Sequence, residues 1–98
     1  MEILEINKNR RSIVEITDDE RRLMLDCLEM YKSKIGKIES HEIDKLKYNV
    51  IDQNERISIS KQEAFTIQEV LHKVGAFTKE INDLIKVMQY LIDEISDE

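Results

Sequence analysis

The chain is expected to fold as an α+β domain: a short N-terminal β-hairpin, with a third short strand near 57–59, packed on a bundle of three or four helices. Three observations lead there. Residues 3–6 (Ile-Leu-Glu-Ile) and 13–16 (Ile-Val-Glu-Ile) are short β-branched runs on either side of a polar stretch, Asn7–Arg11. Thr17-Asp-Asp-Glu20 and Ser60-Lys-Gln-Glu63 both fit the Ser/Thr-x-x-Glu capping box that starts a helix. Each box opens an apolar helical period that stops at a glycine, Gly36 or Gly75. Strand, box, helix and glycine therefore occur twice.

Each element has a local reason. Strict alternation puts Leu4 and Ile6, or Val14 and Ile16, on one face of the hairpin, with Ile3 and Ile13 on the other. A two-stranded hairpin is marginal in water, so it needs helices or a third strand, which Ile57 and Ile59 can supply. The first helix is expected over 18–35. Thr17 is its N-cap, Asp18 and Asp19 suit its positive end, and Lys32 and Lys34 suit its negative end. Its stripe is Met24, Cys27, Leu28, Tyr31 and Ile35, widened by Leu23 and Met30. A weaker helix is expected over 41–52, capped by Ser40, with Ile43, Leu46, Val50 and Ile51 inward. Residues 52–55 then break the pattern. The third helix is expected over 61–74, burying Ala64, Ile67, Val70, Leu71 and Val74. The fourth runs from Thr78 to about 95 on Ile81, Leu84, Ile85, Met88, Leu91, Ile92 and Ile95. Only Gly75-Ala76-Phe77 joins the last two, so they should be neighbours. The whole chain, 1–98, reads as a single domain, with the hairpin in 1–16 and the helical part in 17–98.

Composition narrows the function classes. The 98 residues are 41% hydrophobic and 37% charged, against a norm of roughly 25% charged. The formal net charge is −6, concentrated towards the acidic C-terminus. That field repels phosphate, so nucleic acid is not the expected partner. One cysteine, Cys27, allows no intramolecular disulfide and suits a reducing compartment. The first apolar run is broken by Glu5, and no stretch approaches the roughly 20 apolar residues of a membrane span. A cytoplasmic protein with no membrane association is the expectation. The Ile-rich, Ala-poor apolar set suggests AT-rich coding, as in a low-GC bacterium, its phages or its plasmids.

No motif compels a chemistry. A helix-turn-helix over 67–85 fits in part: Val70, Val74, Ala76, Ile81 and Leu84 fall at the apolar offsets around Gly75. Leu71, however, stands where a small residue is wanted. The would-be recognition helix presents Thr78, Lys79, Glu80, Asn82, Asp83 and Lys86, a neutral set. His41 and Asp44 share a helical face by spacing, but two ligands make no metal centre. Cys27 falls on an apolar stripe, away from any base that would activate it. With two glycines, each at a helix end, none is left for a phosphate-cradling loop. Neither catalytic residues nor a metal or other cofactor are expected. The acidic end, Asp93, Glu94, Asp97 and Glu98, opposes the helix dipole and is expected to fray after Asp93.

What remains is surface that folding does not need. Leu25, Phe65, Val87 and Tyr90 fall outside the apolar stripes, and Lys8, Arg10 and Arg11 crowd the hairpin tip. These seven are the candidate partner-binding residues. The reading they support is a small non-enzymatic protein-interaction module, a regulator or inhibitor from a phage or other mobile element, able to form a homodimer through its long fourth helix. The alternative is a helix-turn-helix-like DNA-binding regulator.

Overall fold

The computed structural model describes residues 1–6, 11–52, 55–74 and 78–95. Strands β1 (Glu2–Ile6), β2 (Arg11–Glu15) and β3 (Arg56–Ser60) form an antiparallel sheet in the order β1-β2-β3. The helices are α1 (Asp18–Lys32), α2 (Lys37–Leu46), α3 (Lys61–Val74) and α4 (Lys79–Glu94). The expected α+β architecture is present, third strand included. The expected bounds of the third helix coincide with those of α3.

The hairpin departs from simple alternation. Ile3 pairs with Val14 and Glu5 with Ile13, so Leu4 is one residue too many for the ladder. That β-bulge rotates the strand. Ile3 and Ile6 both pack on the core, whereas Leu4 is 40% exposed. The expected pairing of Leu4 with Ile6 on one face is thereby corrected. Ser12, Val14, Ile16, Ile57 and Ile59 complete the inner face, all buried. Ser12 is the polar member, and its Oγ donates to the Glu5 carbonyl oxygen at 2.7 Å. The hydroxyl thus satisfies a backbone acceptor beside the bulge.

Both capping boxes form. The Thr17 hydroxyl accepts from Glu20 N at 3.1 Å, and Glu20 Oε1 accepts from Thr17 N at 2.9 Å. Ser60 Oγ accepts from Glu63 N at 3.1 Å, and Glu63 Oε1 accepts from Ser60 N at 2.9 Å. Ser60 is at once the last residue of β3 and the cap of α3, so the sheet hands the chain directly to the helix.

The Glu20 carboxyl also pairs with the amino group of Met1. Burial alone would raise its pKa, but the ammonium group and the Thr17 donors outweigh burial and hold it below the ordinary 4.5. A carboxylate whose folded pKa is depressed stabilises the fold above its unfolded value and loses that contribution as pH falls through the folded one. Glu20→Gln keeps the cap but not the charge. Urea titrations should show the variant less stable at pH 7, with the gap closing as the pH drops below 4.5. A gap that persists in acid would contradict this assignment.

Two expected boundaries shift. α1 stops at Lys32 with Ser33 as its C-cap, and Ser33 Oγ donates to the Met30 carbonyl at 2.7 Å. Gly36 is not a left-handed stop. At φ −73° and ψ 173° it is the N-cap of α2, which begins at Lys37 rather than after Ser40. Ser40 lies inside the helix, its N–H donating to the Gly36 carbonyl.

α2 runs into a π-helical turn, Lys47–Ile51, closed by Asp52 N donating to the Lys47 carbonyl at 2.9 Å. On an ideal α-helix Ile51 would lie about 140° around from Leu46. The i→i+5 closure stacks the two instead. Leu46, Val50 and Ile51 are all buried as a result.

α1 is the middle helix. One flank meets α2 and the π turn: Arg21 Nε donates to the Ile51 carbonyl at 3.2 Å, Lys47 pairs with Glu29, and Lys32 Nζ is 2.8 Å from Asp44 Oδ1. Its other flank packs on α3, and α3 packs on α4. β3 touches both α3 and the π turn, tying sheet to helices. The core comprises Val14, Met24, Leu28, Ile51, Ile59, Ile67, Leu71, Met88 and Leu91 with their neighbours, all nearly inaccessible.

Candidate interaction surface

α3 is amphipathic. It buries Ala64, Ile67, Val70 and Leu71, and the opposite face carries Phe65, Glu69 and His72 in the open. Phe65 is 52% exposed. Its ring borders an open hollow of about 310 Å³, whose other walls are Gln68, Glu69, His72 and Lys73. Gln68, Glu69 and Lys73 are each held by a neighbouring side chain. Gln68 Nε2 donates to Gln89 Oε1 at 2.9 Å and leans on the Ile85 carbonyl at 3.4 Å, locking α3 to α4. Gln89 Nε2 in turn donates to Asp93 Oδ1 at 3.0 Å. Lys73 Nζ is 3.0 Å from Glu69 Oε1 and 5.8 Å from the centroid of the Tyr31 ring. The Glu69 carboxylate, with Tyr31 adding to it, pushes the Lys73 pKa up, so this ammonium is firmly charged. The result is an aromatic ring framed by an ion pair, an amide and an imidazole.

The other predicted binding residues divide. Tyr90 is 50% exposed on α4. Leu25 and Val87 are only partly exposed: both are half-buried and pack against the core on one side. For Leu25 the reason is the second neighbour of α1. Arg21, Leu25, Glu29 and Lys32 form one row, whose Arg21, Glu29 and Lys32 bind α2 and the π turn, while Leu25 also lines an open hollow with Asp18, Arg21, Arg22 and Asp26. Arg11 is bound into the sheet. Its Nε donates to Ser58 Oγ at 2.8 Å, and its Nη2 donates to Glu63 Oε1 at 2.7 Å. It therefore extends the α3 capping box across two strands instead of standing as a basic tip. Lys8 and Arg10 lie outside the described residues, as do Gly75, Ala76, Phe77, Asp97 and Glu98.

Among the described residues, three exposed large apolar side chains escaped the sequence reading: Leu4, Met30 and Tyr48. Met30, expected to widen the stripe of α1, sits about 200° around the helix from Leu28, which turns it away from the core. Tyr48 occupies the outer side of the π turn, with Lys47 Nζ 5.1 Å from its ring centroid. The bulge exposes Leu4, and alternation gives no warning of it.

The remaining candidates have plain geometry. A second hollow, about 290 Å³, lies between α2 and the start of α3 and is lined by Glu42, Lys45, Leu46, Asn49, Gln62, Glu63 and Thr66. Asp44 is paired with Lys32, and His41 is exposed. Among the described residues, no group of three or more His, Cys, Asp or Glu is placed to hold a metal ion. Cys27 is buried, and desolvation, helped by the Asp26 charge, raises its thiol pKa, which keeps it protonated and poorly nucleophilic. On α4, Lys79, Glu80, Asn82, Asp83 and Lys86 carry no net charge between them. α4 runs to Glu94, one residue past Asp93, and Ile95 caps it and is buried; the rest of the acidic end expected to fray lies outside the described residues. No described helix is long and apolar enough to cross a membrane. Comparison with protein-family models, curated proteins and solved structures returns no match.

Proposed function

We propose that the chain is a small non-enzymatic protein-interaction module, a regulator or inhibitor of the kind phages and other mobile elements carry, that grips a partner protein through Phe65 on the outer face of α3. One observation carries the reading: a half-exposed phenylalanine on a helix packed against α1 and α4, bordering an open hollow with a polar rim. Isolated exposed apolar residues are ordinary. Phe65 differs in its setting. Ring burial supplies affinity, and the Glu69–Lys73 pair, Gln68 and His72 supply hydrogen bonds at the edge, which is how interface anchors are arranged. Full desolvation of the exposed part of the ring is worth about 1–2 kcal/mol. The net charge of −6 favours a protein partner over a nucleic acid.

The test is affinity purification from the native host with wild type and Phe65→Asp. Position 65 is exposed, so the variant keeps its fold, which circular dichroism will verify. Proteins held by the wild type should drop at least tenfold in recovery with the variant. Equal recovery of every partner would remove Phe65 from the interface and the proposal with it.

A further inference from the structure

α4 is the outermost helix, with α3 as its principal neighbour among the described elements. Along its outer side Lys79, Asp83, Val87, Tyr90 and Glu94 follow one another at steps of three or four residues, which sets them on one stripe about 22 Å long. Val87 is half-buried and the other four are exposed. The stripe is basic at its N-terminal end and acidic at its C-terminal end. Such a gradient complements itself when reversed. With Lys79 of one copy opposite Glu94 of another, the same register sets Asp83 opposite the Tyr90 hydroxyl, a donor for the carboxylate. It also brings the two Val87 side chains together at the axis, while Lys86 stays on the rim with its ammonium in water. Opposed helix dipoles favour the same antiparallel arrangement.

We propose that α4 pairs antiparallel with α4 of a second copy of this chain across a twofold axis, through Lys79–Glu94 contacts at both ends and Asp83, Val87 and Tyr90 between them. This is an isologous interface, in which each contact occurs twice. It does not rest on the Phe65 face, which belongs to α3. Two single helices bury less than the roughly 1,600 Å² of a standard interface, so the pairing is weak and requires high protein concentration. The charge of −6 on each copy opposes approach at long range but is screened beyond about 8 Å at physiological salt.

Sedimentation at protein concentrations around 0.1–1 mM tests the pairing on wild type, Lys79→Glu, Glu94→Lys and an equimolar mixture of the two variants. Each variant turns two attractions into two repulsions and should weaken its own dimer about tenfold. In the mixture the carboxylate introduced at position 79 of one variant faces the ammonium introduced at position 94 of the other. The unchanged Lys79 and Glu94 of the two variants also face each other, so dimerisation should return to the wild-type level. Both substitutions suit the dipole of α4, so unfolding does not explain a loss. Phe65→Asp should dimerise as wild type does. A wild type that stays monomeric, single variants that dimerise normally, or a mixture that stays monomeric would each overturn the proposal.

Discussion

Leu28→Ala will destabilise the fold by about 2–5 kcal/mol. Leu28 is 1% exposed at the centre of α1, the helix with neighbours on both flanks. The Arg21–Leu25–Glu29–Lys32 row beside it is fixed to α2 and the π turn by hydrogen bonds and ion pairs. On the other side, Tyr31 is tied through Lys73 to α3. Neither wall can close over the lost methyl groups without giving up those contacts, so a cavity remains and the cost falls in the upper part of the range. A domain of this size holds about 5–10 kcal/mol in all, so half or more of its stability is at stake. Urea denaturation reads the effect as a lower midpoint at unchanged slope. A loss below about 1 kcal/mol would mean that α1 is not the helix the others are built around.

Ser12→Ala is the second large effect, about 1–3 kcal/mol. Ser12 is fully buried, and its hydroxyl is a donor to the Glu5 carbonyl beside the bulge. Alanine removes the donor and leaves that acceptor, in a part-buried bond, short of its protein partner. Ser58→Ala is the control. Ser58 also loses a side-chain bond, to Arg11, but it is exposed, so water replaces the partner and the change stays within about 0.5 kcal/mol. If the two variants cost the same, the Ser12 bond does not stabilise the bulge.

The parts of this fold that the sequence disclosed are those set by local chemistry. A hydroxyl three residues before a glutamate closes a ring with its own backbone wherever the chain carries it, so Thr17–Glu20 and Ser60–Glu63 were readable and fixed the starts of α1 and α3. The apolar period of α4 was equally plain. What depended on more than one element was not. Gly36 follows a helix and precedes another, and glycine serves at either end; its extended backbone assigns it to the second. The π turn hides because Leu46, Val50 and Ile51 look like an ordinary inward set until the angle of Ile51 is counted. Leu25 lies off the main stripe, but its helix has a second neighbour; Val87 lies only about 40° around α4 from Leu91, so it packs partly on the core. Arg11 read as a basic tip because Glu63, its partner, is fifty-two residues away.

The candidate surface has accordingly narrowed. Of the four apolar residues set apart by their position off the stripes, Phe65 and Tyr90 are half-exposed, one on each of the last two helices. Two proposals divide them: Phe65 for a different protein, Tyr90 for a second copy. They fail separately, since Phe65→Asp leaves α4 untouched and Lys79→Glu leaves α3 untouched.

The central claim is that this chain acts by contact through the outer face of α3. Quantitative mass spectrometry of proteins co-purified from the native host tests it most directly, with wild type and Phe65→Asp prepared side by side. The expected result is at least one protein recovered with the wild type and lost at least tenfold with the variant, while both baits show the same helical content. An identical set of proteins at identical recovery would contradict the claim.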